Sequence, residues 1–425
     1  MLERIKKSLE KNGINAWRIT EAHSATAEAY FIKKKLDIPR LKEIVQYQVV
    51  VYYDAEKDGK KLRGTSSTLL SPGMDDAEID SRVKSAYFAA SFALNPFYEL
   101  PDPVAEEKKE STSDLAKHDL KDVVLDFAKA MFSVDTAEDA FLNSVEIFAN
   151  KSYEHIVASN GLDVSFDADS VSGEYVAQCI TPSDVEQFRQ FEYDSYNIEG
   201  IKEKVKDALM DVRARARATA SPKAGTYDIL LKGDQITELM EFYLARSNAS
   251  MIVPGYSQWK AGDSIQGENV QGEKISLKLV PVEPYSGEGI PLVERDLLKD
   301  GKLETIYGSN RFCRYLGIKP TGDYSKFSCS NGSRPIAEMR KEGVLEPVSF
   351  SDFQMDIMDG HFKGEIRLAF LHHADGSVEE LTGGSINGAL IDLQGSLTFS
   401  NERYEDMNYS GPLAVLIPGV AVAGK

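Results

Sequence analysis

The feature that most restricts the fold is the second half of the chain, where short strand-like runs follow one another with glycine turns between them. From about residue 222 onward, apolar and β-branched runs recur and helical patterns are scarce. The runs that we predict as strands are residues 226–231, 275–282, 292–299, 303–307, 344–350, 366–372, 390–399 and 413–422. Consecutive strands joined by short turns favour an antiparallel sheet or a half-barrel.

The first half mixes helical and strand patterns. Apolar residues recur at helical spacing in residues 2–12, 75–94, 120–131 and 198–218, whereas alternating runs occupy residues 16–19, 27–34, 44–54 and 62–69. Residues 145–150, 153–159, 162–170 and 174–180 predict an antiparallel meander. Its clearest turn is Asn160-Gly161, a pair that suits a tight hairpin. Residues 100–117, rich in proline and charge, predict an exposed loop. The whole chain is therefore predicted to be α+β, with an N-terminal α+β domain at 1–221 and a strand-rich C-terminal domain at 222–425.

Net charge argues against a nucleic-acid ligand. The 425 residues carry a formal charge of −18 at pH 7. Sequence-independent binding to nucleic acid depends on Lys and Arg contacts to phosphate, which a strongly acidic chain disfavours. We expect no direct binding to DNA or RNA.

Cysteine usage and hydropathy predict a cytoplasmic protein. Three cysteines, Cys179, Cys313 and Cys329, are too few and too scattered for a disulfide framework. The first residues are charged and lack the apolar core of a signal peptide. The longest apolar run, at 413–423, contains Pro418 and Gly419 and is too short to span a bilayer. We expect no membrane association.

A predicted strand at 226–231 leads through Gly233-Asp234 into a predicted helix, with Asp234 as the expected N-cap. Apolar residues at helical spacing mark its buried face: Ile236, Leu239, Met240, Tyr243 and Leu244. A strand that enters a helix through a tight turn often positions catalytic groups. This helix is therefore the first place to look for an active site.

Four segments of the second half carry a resemblance to a known family: GTYDILL at 225–231, SGEGIPLVERDLLKDGKL at 286–303, NRFCRYLGIKPTGDYS at 310–325 and SGPLAVLIPGVAVAGK at 410–425. Together they resemble the TldD/PmbA family, whose older name is modulator of DNA gyrase. The resemblance implies that a catalytic branch carries a His-Glu-x-x-x-His zinc motif on the helix described above. Here Glu241, Phe242 and Arg246 stand at the motif positions, so the chain resembles the non-catalytic branch, PmbA or TldE.

The chemistry of these three side chains leads to the same conclusion. Zinc in a hydrolase needs about three nitrogen, oxygen or sulfur ligands and one open position for water. Only Glu241 could ligate, Phe242 cannot act as a base, and Arg246 would repel a dication. We expect no metal, no cofactor and no catalytic residue at these positions.

Carboxylates and histidines elsewhere offer weaker alternatives. Glu283, Glu288 and Asp296 could form an acid/base pair, but Ser286 stands where the catalytic branch has an acidic residue, so a glycine turn is the simpler interpretation. His372 and His373 are neighbours on a predicted strand and point to opposite faces, which predicts a surface turn.

Thiols and a glycine-rich segment are the remaining candidates. Cys313 is predicted to pack in a core and Cys329 to be more exposed, with no histidine signature beside either thiol. Residues 383–388 are glycine-rich, but no Lys-Ser/Thr or helix follows, so they predict a turn that enters a strand.

The predicted function is that of a non-catalytic subunit of a cytoplasmic TldD/TldE-type metallopeptidase complex acting on unfolded or extended peptides. The resemblance implies a TldD-like catalytic paralogue as partner and peptide capture by β-addition. The alternatives are a homodimeric peptide-binding or scaffold protein and an independent cysteine or serine hydrolase. We further expect the apolar strands at 275–282 and 411–424 to have open edges that a second subunit covers.

Overall fold

The computed structural model describes residues 1–104 and 107–424. Positions 105 and 106 of the predicted loop at 100–117 lie outside this description. The elements of the first half are α1 (Leu2–Lys11), β1 (Ala16–Ile32), β2 (Lys35–Lys57), β3 (Lys60–Leu70), α2 (Asp76–Ala90), β4 (Leu94–Pro96), β5 (Glu107–Lys109), α3 (Leu120–Val134), β6 (Ala140–Ala158), β7 (Asp163–Cys179), β8 (Val185–Tyr193) and α4 (Ile198–Arg217).

The elements of the second half are β9 (Gly225–Lys232), α5 (Asp234–Ser247), α6 (Ala249–Ile252), β10 (Leu277–Val280), β11 (Arg295–Lys299), β12 (Lys302–Leu303), α7 (Asn310–Tyr315), β13 (Lys326–Cys329), α8 (Ile336–Met339), β14 (Leu345–Met355), β15 (His361–His372), β16 (Val378–Leu381), β17 (Ser385–Ala389), α9 (Leu390–Leu393), β18 (Thr398–Phe399), β19 (Arg403–Glu405), β20 (Tyr409–Pro412) and β21 (Ala414–Ala423). The α+β prediction is confirmed. The division between residues 221 and 222 stays a prediction.

Several strands of the N-terminal sheet are longer than the sequence predicts. Its order is β4-β3-β2-β1-β6-β7-β5, and β8, which the sequence analysis missed, pairs with β7. The four runs of the predicted meander form only two strands, β6 and β7, joined by the Asn160-Gly161 turn as predicted. Polar residues that suggested breaks stay in the ladder because they pair across strands: the Thr26 hydroxyl donates to Asn150 Oδ1 at 2.8 Å.

All four N-terminal helices pack on one face of this sheet. Ile19 of β1 lies in a core with α1 and α2, whereas Ala27 and Ala29 of the same strand lie in a core with α3 and α4. These positions are an even number of residues apart, and side chains on a strand return to the same face every second residue. Among the described residues of this half, no helix packs on the opposite face.

The C-terminal strands form two sheets around α5. One has the order β12-β11-β10-β13-β20-β19. In the other, the pairing path β14-β9-β21-β17-β15 returns to β14, because β14 pairs with both β9 and β15. This closed path makes the sheet a partial barrel, in agreement with the half-barrel predicted from the sequence. A single core cluster joins the buried side of α5 to both sheets.

Two predicted strands of this half are wrong over most of their length. Residues 303–307 contribute only Leu303 to β12, and residues 390–399 begin with α9 and enter a strand only at β18. The backbone N–H of Leu390 donates to the carbonyl of Gly360, and the Gln394 amide donates to the carbonyl of Ile391. These contacts favour a helical turn over the strand that the apolar residues alone suggest.

The expectation that residues 275–282 and 411–424 have open edges is also wrong. β10 pairs with β11 on one side and with β13 on the other. β21 pairs with β9 along one edge and with β17 and β18 along the other. Both strands are therefore covered within one chain and give no reason for a second subunit.

Membrane-spanning helices are not found: none of the helices in residues 1–104 and 107–424 has the length and apolarity to cross a bilayer.

A buried carboxylate ties three strands of the partial barrel together. Glu346 of β14 is 1% exposed and accepts two hydrogen bonds from the Arg340 guanidinium, both at 2.8 Å. His372 Nε2 of β15 lies 2.9 Å from its other side, and Lys232 Nζ of β9 lies at 3.3 Å. His372 is buried, so the prediction that it belongs to a surface turn is wrong; His373 is exposed. The paired charges hold β14 against both of its neighbours.

The pH dependence of stability tests this cluster. Burial alone would raise the pKa of Glu346, but its bonds with His372 and Arg340 lower it to about 2. A folded pKa below the unfolded value stabilises the fold above pH 4.5, and this contribution is lost as pH falls toward 2. We expect Glu346→Gln to lower the free energy of unfolding by about 3 kcal/mol at pH 7 and by much less at pH 3. Urea denaturation at both pH values measures this. The exposed Glu342→Gln is the control, and an equal loss at both pH values would contradict the prediction.

Candidate functional site

The chain enters α5 through a turn that needs glycine. Gly233 has a φ of 59°, in the left-handed region that side chains disfavour. Gly233, not Asp234, is the N-cap, and Asp234 is the first helical residue. Its carboxylate accepts a hydrogen bond at 2.8 Å from the Tyr404 hydroxyl. A negative charge in the first turn also suits the helix dipole. The predicted apolar face of the helix is buried as expected.

Phe242, at the second motif position, belongs to the hydrophobic core. Its side chain is 1% exposed. Its ring packs edge-on against Tyr243 at 5.4 Å and against Trp259 at 5.6 Å between centroids. Pairs of this geometry contribute about 0.5–1.5 kcal/mol beyond their burial. The position where a catalytic motif has its general base is therefore occupied by core packing.

Arg246, at the third motif position, joins α5 to two loops. Its Nη1 donates to the backbone carbonyls of Tyr256 at 2.7 Å and Met358 at 2.9 Å. The guanidinium also lies over the Trp259 ring, 5.6 Å from the centroid. Burial lowers the pKa of Arg246. The positive charge of Arg246 therefore holds the two loops in place and would repel a metal cation.

Glu241, at the first motif position, is exposed and borders an open cavity of about 610 Å³ with Glu238, His361, Lys363 and Asn387. Glu238 lies three residues earlier on α5, so the two carboxylates share one helix face. Partial desolvation raises the pKa of both acids. For Glu238, desolvation followed by repulsion from Glu241 raises the pKa to about 7. The sequence analysis did not single out Glu238, although its spacing from Glu241 could have indicated it.

The donor set beside α5 does not fit zinc. No group of three or more His, Cys, Asp or Glu side chains in the described part of the chain is arranged to hold a metal ion. Of the three motif positions only Glu241 has a ligand atom, since Phe242 has none and Arg246 is cationic. A catalytic zinc needs three protein ligands, so no hydrolytic step can be assigned to these residues.

The acidic turn at 283–296 does not border the α5 cavity. The buried Ser286 hydroxyl accepts hydrogen bonds from the backbone N–H groups of Glu288 and Ile290, both at 3.3 Å. Glu288 accepts from the backbone N–H of Asn310 at 2.7 Å. Burial, followed by the nearby Glu154, raises the pKa of Glu283 to about 6. Ser286 therefore organises a turn at the position where the resemblance implies an acid.

The cysteines are packing residues in this structure. Cys179, Cys313 and Cys329 are all free and buried, so the prediction that Cys329 is more exposed is wrong. Burial raises the pKa of both Cys313 and Cys329, the latter to about 12. A cysteine nucleophile needs a lowered pKa and an adjacent base, whereas the pKa of Cys313 and Cys329 is raised and both thiols donate to backbone carbonyls. Residues 383 and 384 form the turn that enters β17, as predicted.

Comparison with known proteins assigns the second half to a family. Residues 224–424 match the family described as the PmbA/TldA metallopeptidase C-terminal domain. A comparison with curated proteins finds no significant match.

Solved structures show the same fold over the full length of the chain. TldE from Thermococcus kodakarensis has a TM-score of 0.79 at 17% identity, with 100% of each chain covered. A protein from Thermotoga maritima, named as a candidate modulator of a DNA gyrase, has a TM-score of 0.77 at 18% identity, with 99% of each chain covered. A candidate modulator of DNA gyrase from Bacteroides thetaiotaomicron has a TM-score of 0.77 at 17% identity, covering 100% of this chain and 99% of that one. Residues 224–424 therefore belong to the metallopeptidase-related PmbA/TldD family, and the whole chain has the fold of the solved TldE and candidate gyrase-modulator structures.

Proposed function

We propose that this chain is a non-catalytic, PmbA/TldE-like subunit of a cytoplasmic TldD/TldE-type metallopeptidase complex. In this complex a paralogue with the His-Glu-x-x-x-His motif supplies the zinc. The two subunits together enclose unfolded or extended peptides. This chain contributes wall and strand edges and no catalytic group.

The observation that carries the proposal is the use of the motif positions in α5. Phe242 is a core residue and Arg246 is bonded to two backbone carbonyls. Phe242 packs in the core and Arg246 binds loop carbonyls. Neither side chain can serve as a zinc ligand or a general base. The likeness to a solved TldE structure supports the same branch of the family.

A partner subunit is supported by an open edge of the N-terminal sheet. β3 pairs with β2 only from Tyr47 onward, so residues 35–46 have no strand on their outer side among the described residues. This segment exposes four large apolar side chains: Leu36, Ile38, Leu41 and Ile44. Long apolar edges are normally covered or charged, because they template pairing with another chain. We call residues 35–46 the β2 edge and assign it to the partner.

The alternative is a homodimeric peptide-binding or scaffold protein, in which a second copy covers the β2 edge. Co-expression with a His-Glu-x-x-x-His paralogue separates the two. A stable complex with the paralogue supports the proposal, whereas self-association that excludes the paralogue favours the alternative.

The isolated chain is expected to lack zinc-dependent peptidase activity. Of residues 241, 242 and 246, only Glu241 has a side chain that can bind zinc, whereas a catalytic zinc needs three protein ligands. Cleavage of a casein-derived fluorogenic peptide, with stoichiometric zinc and with a chelator, measures this. The matched control is Glu241→Ala in the isolated chain. Chelator-sensitive cleavage that disappears in this variant would contradict the prediction.

Charge placed on the β2 edge should prevent association. Leu41 is 63% exposed, so Leu41→Lys has little reason to disturb the monomer fold. We expect this variant, and the double variant with Ile38→Lys, to lose complex formation by light scattering while circular dichroism stays unchanged. Phe92→Lys is the control, since Phe92 is 74% exposed but lies beyond the end of α2. Association that survives the double variant would place the interface elsewhere.

Removing the charge of Glu238 should stabilise the fold at neutral and alkaline pH but not at pH 4. Its folded pKa of about 7 lies above 4.5, the ordinary value of a glutamate side chain, so its charged form costs stability as pH rises through this range. We expect Glu238→Gln to raise the free energy of unfolding by about 1 kcal/mol at pH 8, a reduced value because the side chain is partly solvated, and to change little at pH 4. Urea denaturation at both pH values, with the exposed Glu10→Gln as control, provides the test. A loss of stability at pH 8, or a zinc-dependent stabilisation that the variant abolishes, would refute this account.

A further inference from the structure

A second and larger cavity, of about 770 Å³, lies between α4 and the C-terminal strands. Its apolar wall is mostly aromatic and includes Tyr175, Tyr193, Phe370 and Tyr404. It does not share a lining residue with the cavity beside α5. None of the candidate residues of the sequence analysis borders it.

One end of this cavity is acidic and short of compensating charge. Asp207 and Asp211 of α4 both border it. Asp211 has Arg189 at 3.5 Å, but this guanidinium also donates to the carbonyl of Val348 at 2.9 Å. Lys232, the other cation that acts on Asp211, is itself paired with Glu346. Burial raises the pKa of Asp211 to about 6. A ligand cation at this end would supply the charge that the protein does not.

The other end offers a cation without an anionic partner. Lys204 of α4 makes no hydrogen bond or ion pair through its ammonium group with any described residue. It lies over two rings, 5.1 Å from the centroid of Tyr404 and 5.7 Å from that of Tyr193. Aromatic faces attract an ammonium group but leave its N–H donors free for an anion.

Tyr193, which borders the same space, has a buried hydroxyl without a partner. Tyr193 is 2% exposed, and its hydroxyl makes no hydrogen bond within the described residues. A buried polar group left unsatisfied costs about 1–3 kcal/mol, so native structures usually give it a partner. This hydroxyl is closed to solvent, so a ligand in the cavity contacts the face of the Tyr193 ring and not its hydroxyl.

The other charged side chains on the wall are already engaged with protein groups. These pairs are Glu203 with Lys206, Asp234 with the Tyr404 hydroxyl, Arg403 with Ser410, and Glu405 with Lys326. The charged groups left for a ligand are therefore the carboxylates of Asp207 and Asp211 at one end and the ammonium group of Lys204 at the other. All three lie on α4.

The spacing of the two ends sets the size of the ligand. Lys204, Asp207 and Asp211 are at i, i+3 and i+7 and share one face of α4. At about 1.5 Å of rise per residue, the carboxylates lie roughly 4–10 Å along the axis from Lys204. An extended chain of two or three residues spans about 7–10 Å.

We propose that this cavity binds a free short peptide of two or three residues, with its ammonium group at Asp211 and Asp207 and its carboxylate at Lys204. Both ends of the ligand are recognised by charge and its middle by the aromatic wall. The site includes the first turn of α5 but lies away from residues 241, 242 and 246, and it does not depend on the proposed subunit role.

The test is calorimetric titration of the full chain with tri-alanine, its N-acetyl derivative and its C-terminal amide. We expect Lys204→Met to weaken binding of tri-alanine by about fivefold or more but not binding of the amide, since the amide has no carboxylate to lose. Asp211→Asn should weaken tri-alanine by a similar factor but not the N-acetyl derivative. Tyr193→Phe removes only a hydroxyl that is closed to the cavity, so it should leave binding of tri-alanine unchanged and should not lower the thermal midpoint.

Matched controls are Lys202→Met and Asp122→Asn, which change the same residue types outside the cavity, and both should bind tri-alanine as the wild type does. Circular dichroism verifies folding, and Asp207→Asn replaces Asp211→Asn if that variant does not fold. Failure of tri-alanine to bind at about millimolar concentration would overturn the proposal. Equal losses for blocked and unblocked peptides would also overturn it. The proposal would also be overturned if 1,5-diaminopentane bound as tightly as tri-alanine to both the wild type and Lys204→Met. Such a site would recognise amines alone.

Discussion

The closure of the C-terminal barrel is the constraint on which the arrangement of the second half depends. β14 pairs with β9 in parallel and with β15 in antiparallel fashion, and only one pair of residues, Leu345 and Ile229, forms the parallel ladder. So short a ladder needs other support. The buried Glu346 provides it by bonding to groups that belong to both neighbouring strands. A buried charge of this kind is tolerated only when several partners satisfy it, which makes the cluster specific for one arrangement.

That arrangement decides what the motif helix can do. β9 leads directly into α5, so the strand pairings of β9 fix the start of the helix, and its buried face is fixed by the core that joins both sheets. With the helix held in this way, each of its positions has a set environment. Residue 242 points into the core, residue 246 reaches two loops, and residues 238 and 241 face an open cavity. The proposal that this chain is non-catalytic therefore rests on the side chains at these positions and not on the fold.

The two halves differ in whether the edges of their long strands are paired. In the C-terminal half, both long apolar strands are paired on both sides, and the barrel has few edges to protect. In the N-terminal half, β2 extends beyond β3 and leaves an apolar edge. Exposed edges of this kind are rare without a partner, which moves the proposed interface from the C-terminal strands to the N-terminal sheet. The charged cavity is bordered by α4, the helix that also packs on the N-terminal sheet. Both proposed binding surfaces therefore depend on the first half of the chain.

The local pattern of residues was sufficient for much of the secondary structure. Helical spacing predicted α1, α3, α4 and α5, and Asn160-Gly161 predicted its hairpin. The absence of a zinc site at residues 241, 242 and 246 stays a prediction from their chemistry. These features depend on neighbours in the chain or on the side chains themselves. Strand lengths were less accessible, because Asn150 and Lys151 look like a break until the strands on both sides supply partners for them.

Only the tertiary structure decided the features that depend on distant residues. His372 looks like a surface histidine until Glu346, which is 26 residues away in the sequence, is found beside it. Residues 390–393 are apolar enough for a strand but form a helical turn because of contacts with Gly360 and within the turn. The raised pKa of Glu238 and of Asp211 arises from burial by elements that no local pattern specifies. Composition and periodicity determine which elements form, whereas long-range pairing determines which of their side chains are buried, paired or left open to a ligand.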